Sequence, residues 1–304
     1  MLLGLIGGST GTLFIRLAQR EGVSSLTIAA ARLTLGALVL TPFVLRGHWT
    51  EVRQLDRRDL GLAALAGVLI ATHFMTLIVA LQYTGILVNL VLTNSSPIWV
   101  ALLEAYWLKS PPKQSMWFGL MLAFGGTVII ALSGANDSGL GHNPTLGIGL
   151  SALSSVAAAF YAILGRKVRA KVSFFPYVWL LFGSGAIVAT CVALVSGTVT
   201  GTNMTTINPN GAVWLIMLTL CTQLMGHASY NYALGYFPAT VVSLIGQAVI
   251  VTSAIIGYFA FNEIPQPLWL KTLGSAAIIA GVVWVTLAQP RPARLVSAES
   301  EALV

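Results

Sequence analysis

Two carboxamides stand out as candidates for chemistry. Asn94 and Gln247 are 153 residues apart, and the tetrapeptide Ala80-Leu81-Gln82-Tyr83 returns at the same spacing as Ala233-Leu234-Gly235-Tyr236. A carboxamide donates and accepts hydrogen bonds at once, so a symmetric pair suits a small polar solute. Such a pair also suits helix-to-helix adhesion in a membrane bundle. A second cluster follows at Gln223, His227 and Asn231 with Tyr230 beside it. Its i, i+4, i+8 spacing predicts one polar stripe along a helix. His73 occupies nearly the position of His227 in the first copy. Either histidine is a candidate for carrying a coupling proton, because imidazole changes charge near neutral pH; a neutral histidine bonded to a neighbouring helix is the alternative.

The segments carrying these residues are apolar. Of 304 residues 56% are hydrophobic and 8% charged, and the mean hydropathy is +0.84. Soluble domains carry about 25% charged residues, so this chain is read as an all-α integral membrane protein. Ten stretches approach the roughly 20 apolar residues that a span needs: 2–19, 24–46, 60–81, 84–107, 115–134, 145–165, 174–196, 211–234, 238–261 and 267–288. They lack the alternation of barrel strands. Residues 1–134 form the first repeat, 135–144 a connecting loop, 145–288 the second repeat, and 289–304 a polar tail read as disordered and cytoplasmic. Five spans per copy force the second copy into the membrane inverted. In transporters so built, substrate sites lie near the midplane between the halves.

The net charge of +7 does not imply nucleic acid, since the basic residues sit in short connectors. Arg46, Arg53, Arg57, Arg58, Lys109, Lys113, Arg166, Lys167, Arg169 and Lys171 fall on one side of a ten-span arrangement, with Arg291 and Arg294 of the tail, while the other side has Arg20 and Lys271 near span ends. The more basic side is cytoplasmic by the positive-inside rule, which places both termini in the cytoplasm. The expected location is the plasma membrane, in a bacterium the inner membrane. Cys191 and Cys221 lie within apolar segments and are read as packing residues. No metal-ligand spacing and no cofactor motif is present, and the sequence does not decide between monomer and homodimer.

Pro97 removes a backbone donor in span four and predicts a kink that frees a carbonyl near Thr93. Trp99 and Tyr161 are read as a possible aromatic wall. Glu104 is read as an interfacial partner of Lys109, and Arg32 as a side chain that snorkels outward from span two.

The doubled pattern resembles the EamA family of the drug/metabolite transporter superfamily. In that pattern Ala-Leu-x-Tyr precedes an apolar span with a central Pro, a Glu thirteen residues further on, and a Gly-rich final span. The first copy has Ala80-Leu81-Gln82-Tyr83, Pro97, Gly119 and Gly125-Gly126, with Ser110 at the Glu position. The second has Ala233-Leu234-Gly235-Tyr236, Glu263, Gly274 and Gly281, with Ile250 at the Pro position. Arg32 matches an arginine common in the family's second span. The resemblance implies ten helices around a central cavity and transport, often export, of small organic solutes such as amino acids and metabolites. The expected partners are such a solute, the bilayer and protons.

Two other functions fit less well. A membrane-embedded enzyme would need HExxH, a GxSxG elbow between a strand and a helix, or paired intramembrane carboxylates; HExxH and such carboxylates are absent, and the one GxSxG match, Gly7 to Gly11, lies inside an apolar span with no strand before it. A nucleotide-sugar exchanger would need cations inside the cavity, and the intramembrane cations are only Arg16 and Arg32, both nearer span ends.

Overall fold

The computed structural model describes residues 2–80, 82–84, 86–133, 143–200, 207–261 and 267–288. Leu81, Glu263, Arg291 and Arg294 of the sequence patterns lie outside them. Every element among the described residues is helical. Eight stretches are long and apolar enough to cross a membrane: Ser25–Gln54, Arg57–Ala80, Gln114–Ser133, Pro144–Arg169, Phe174–Thr200, Pro209–Ala233, Ala239–Ile256 and Leu268–Leu287. The other two expected spans are interrupted. The first divides at Thr10 into α1 (Leu2–Ser9) and α2 (Gly11–Arg20), and the fourth divides at Asn94-Ser95.

Local sequence sets the helix ends. α3 (Ser25–Phe43) is capped by Ser24, whose Oγ accepts from the Thr27 amide at 3.1 Å. A π-helical turn, Val44–His48, and α4 (Trp49–Gln54) prolong it. α5 (Arg57–Ala80) follows. The fourth segment comprises α6 (Ile86–Thr93) and α7 (Ser96–Trp107), and α8 (Gln114–Ser133) closes the first half. Asn143 caps α9 (Pro144–Arg169) by accepting from the Leu146 amide at 3.2 Å. Pro144 fills a first-turn position where no N–H is needed. Arg166, Lys167 and Arg169 in its last turn complement the helix dipole. α10 (Phe174–Thr200) leads to α11 (Pro209–Met217), where Asn208 accepts from the Gly211 amide at 2.6 Å.

The chain then widens into a π-helix, Leu218–His227, before resuming as α12 (Ala228–Ala233). The ninth segment is again broken, into α13 (Ala239–Gly246) and α14 (Ala248–Phe261), and α15 (Leu268–Leu287) ends the described bundle.

The largest core joins α3, α5, α9 and α10 around Tyr177, Phe182, Leu33 and Ile70, all fully buried. Large apolar side chains on the outside, such as Ile187, Val199 and Leu287, stay exposed as a bilayer requires. Cys191 joins them on the exposed surface of α10 and is not a packing residue, whereas Cys221 is partly covered.

α8 and α15 pack closely against each other along their length. Gly119 lies against Gly281, and Gly126 against Gly274. A Cβ on Gly126 would stand 2.5 Å from the Gly274 carbonyl oxygen and 2.9 Å from the Ile278 amide, whereas one on Gly125 would meet nothing within 4 Å. Small residues that let backbones touch are a main source of helix association in lipid. Gly126→Val is therefore expected to destabilise the bundle by about 1–3 kcal/mol through overpacking. Gly125→Val should melt near wild type in detergent. Equal melting of the two would refute the seam.

One end of the bundle gathers the basic connectors. Lys171 Nζ lies 3.0 Å from Asp59 Oδ2, Glu51 Oε1 accepts from the Ser173 amide at 2.7 Å, and Arg166 Nη1 donates to the Leu234 carbonyl at 3.0 Å. The connectors after spans two, six and eight thus meet at the same end.

Candidate functional site

A cavity of about 450 Å³ opens among α1, α5, the two broken helices, α9 and the π-helix. His73, Asn94, Tyr161, His227 and Gln247 all line it. Asn94 and Gln247 are not merely on equivalent helices. Each sits at the point where its helix is interrupted, between α6 and α7 and between α13 and α14. The two are joined: Gln247 Nε2 donates to the Asn94 backbone carbonyl at 2.6 Å. The Asn94 side chain turns back on its own helix, donating from Nδ2 to Leu90 at 2.8 Å. Adhesion and lining, alternatives from sequence, coexist here.

The proline acts differently from expectation. Pro97 lies in the first turn of α7, where a missing N–H removes no helix bond. It starts the second half-helix and does not kink a continuous one. The carbonyl exposed by the break is that of Asn94. The second break has Ile250 at the equivalent position, so proline is not its cause. Ser95 Oγ ties the first break to α9 through Ser155 Oγ at 2.9 Å.

His73 is oriented by α9. Its Nδ1 lies 3.0 Å from the Ser154 carbonyl oxygen and 2.9 Å from Ser154 Oγ, which itself donates to the His73 carbonyl at 3.1 Å. Both contacts require a proton on Nδ1, which leaves Nε2 as the nitrogen that gains or loses one. His227 packs edge-on against Phe74 with ring centroids 4.8 Å apart. Tyr161 and Tyr230 pair at 6.0 Å on the cavity wall.

Two expected lining residues lie elsewhere. Trp99 is 42% exposed on the outer surface of α7, because half a turn separates it from the helix face that meets α9 and α13. Asn231 is fully buried outside the cavity lining, its Nδ2 donating to the His227 carbonyl at 2.7 Å. The expected stripe of Gln223, His227 and Asn231 is dispersed by the π-helix. A hydrogen-bond pattern of i→i+5 turns less per residue than the α-helix on which i, i+4 alignment rests. Gln223 accordingly faces away from the cavity and accepts from Arg32 Nε at 2.8 Å.

Arg32 does not snorkel. It is 3% exposed, with its guanidinium 3.9 Å from the Phe74 ring centroid. Among the described residues no carboxylate pairs with it. Glu104 does not pair with Lys109. It is 4% exposed and caps α13 across the bundle, accepting from the Ala239 amide at 3.0 Å, the Thr240 amide at 3.1 Å and Thr240 Oγ at 2.6 Å.

Thr93, Thr222, Ser243 and Ser253 also line the cavity. Sequence reasoning passed over them because serine and threonine satisfy themselves within helices and carry no distinctive spacing. Among the described residues no Asp, Glu, Lys or Arg lines the cavity; its titratable side chains are His73, His227 and the two tyrosines.

Interrupted helices around a chamber in a bundle of apolar helices are a feature of membrane transport proteins. The sequence profile of the EamA-like transporter family matches residues 1–132 and again 145–287. The chain belongs to that family, within the drug/metabolite transporter superfamily. An uncharacterized transporter of Archaeoglobus fulgidus (strain ATCC 49558 / DSM 4304 / JCM 9628 / NBRC 100126 / VC-16) is 28% identical over 230 residues, 76% of each chain. The uncharacterized transporter YdfC of Bacillus subtilis (strain 168) is 25% identical over 271 residues, 89% of this chain and 84% of its own. A protein crystal structure with 17% identity superposes at a TM-score of 0.76, covering 95% of this chain and 98% of that one, and so shares the fold.

Proposed function

We propose that the protein is a secondary active transporter that exports small organic solutes, amino acids or related metabolites, by alternating access between two inverted five-helix repeats. The observation that carries this reading is the chamber at two symmetric helix breaks. Interrupted helices at membrane depth are tolerated where they line a cavity, and transporters use them to hold solutes near the midplane. The two matched segments, the 153-residue spacing of Asn94 and Gln247, and the reciprocal glycine contacts of α8 and α15 support the repeat. With α1 and α2 as one span and α6 and α7 as another, the chain crosses ten times.

The domain limits are 1–134 and 145–288, with both termini in the cytoplasm of a plasma membrane. In this reading the basic end is cytoplasmic. The Glu104 cap and the packing of α7 on α13 tie the halves together at that end. A chamber lined without Lys or Arg fits a nucleotide sugar poorly.

Purified protein in proteoliposomes tests the reading. Flux of an unmodified metabolite is expected, and a chemically altered product would refute transport. His73 and His227 are assigned the coupling proton. His73→Gln or His227→Gln should abolish uptake driven by a pH gradient while sparing solute exchange. Loss of both activities would remove the histidines from coupling.

A further inference from the structure

Two residues of the chamber wall at the helix breaks each carry a buried polar atom without a partner. Gln247 is 3% exposed and Thr93 is 8% exposed, and both line the cavity. Gln247 Oε1 and Thr93 Oγ1 are buried without a hydrogen-bond partner. The Gln247 amide cannot be turned to relieve this. Its Nε2 is committed to the Asn94 carbonyl at 2.6 Å, and a flipped amide would set two oxygens against each other. The orphan atom is therefore an acceptor, and acceptor only. His73 adds to the same wall. Its Nδ1 proton is engaged by Ser154, and a neutral ring presents Nε2 as another acceptor.

Helix dipoles do not decide the sign here. The carbonyl ends of α6 and α13 meet the amide ends of α7 and α14 at the same breaks. What distinguishes the spot is its side-chain atoms: Gln247 Oε1 can only accept, and the Thr93 hydroxyl can accept as well as donate, so the two together suit a donor. A buried acceptor left unpaired costs about 1–3 kcal/mol, which a ligand N–H returns.

We infer that Gln247 Oε1 and Thr93 Oγ1 form a subsite that binds a primary amine of the transported solute. This rests on the transport reading above and adds to it the group by which the solute is recognised. A solute with a primary amine should bind at least about tenfold more tightly than the same solute without it, as expected for a hydrogen bond to a charged donor.

The test uses the full-length purified protein and three matched sets: the common amino acids, the carboxylic acids lacking the amine, and the amines lacking the carboxyl. Apparent affinities come from thermal shift, and flux from proteoliposomes. Wild type is expected to prefer each amine-bearing member over its deaminated counterpart. Thr93→Val, which keeps the side-chain shape, should shrink that preference severalfold, and Thr93→Ser should retain it. Gln247→Lys keeps a donor for the Asn94 carbonyl but replaces the acceptor with a cation. It should erase amine binding while deaminated solutes still bind.

Equal affinity for paired compounds in wild type overturns the subsite. So does a preference undiminished in both Thr93→Val and Gln247→Lys, or the failure of every amine-bearing compound to bind. Flux of deaminated solutes alone would sink the amine subsite and leave transport standing. Absence of any flux would sink transport itself.

Discussion

Glu104→Ala should loosen the end of the bundle where the basic connectors gather. The carboxylate accepts from two backbone amides and one hydroxyl at the start of α13. Alanine leaves those donors buried, and unsatisfied buried donors cost about 1–3 kcal/mol each. Even partial rehydration leaves about 3 kcal/mol, roughly a hundredfold in an equilibrium between closed and open ends. The measurement is thiol accessibility. In a background with Cys191 and Cys221 replaced by serine, a cysteine at Val242, fully buried between α13 and α9, should react slowly with an impermeant reagent. Adding Glu104→Ala should speed that reaction strongly from the basic end, and Glu104→Asp should have an intermediate effect. Unchanged labelling would show that the cap does not hold the end shut.

Gln247→Ala carries the second large effect. It removes the 2.6 Å bridge between the breaks and the buried, unpartnered acceptor of a chamber-wall residue. Flux is expected to fall by about 10- to 100-fold, the value of one or two buried hydrogen bonds, with expression intact. Asn94→Ala should also reduce flux, by less. Its backbone carbonyl, which survives mutation, accepts the bridge, while its side chain serves only its own helix. Ser110→Ala, outside the helices between α7 and α8, should act near wild type. Equal losses at all three positions would remove the special standing of the pair.

Periodicity and spacing made parts of this arrangement readable in advance. Hydropathy located the helices because a bilayer fixes their length and composition. The shared offset located Asn94 and Gln247 because repeated segments bring equivalent residues to equivalent depths. What stayed hidden depends on groups without a side-chain signature. Glu104 satisfies backbone amides, so no basic residue at helical spacing betrays it. Gln247 bonds a carbonyl that every residue possesses. Arg32 looked free to snorkel because its partners, Gln223 and Phe74, come from distant segments. The polar stripe failed because it assumed a uniform α-helix through Leu218–His227.

That widened stretch has a geometric consequence of its own. A π-helical stretch takes up extra chain without lengthening the helix in proportion, so its residues can change azimuth while both flanks stay in place. Were it to migrate until it had passed a side chain, that side chain would swing by about 100°, the angle one residue subtends in an α-helix. His227 stands at the boundary of the stretch. Such a rewinding would turn its ring toward or away from the chamber while changing its depth in the bilayer by no more than a fraction of a turn.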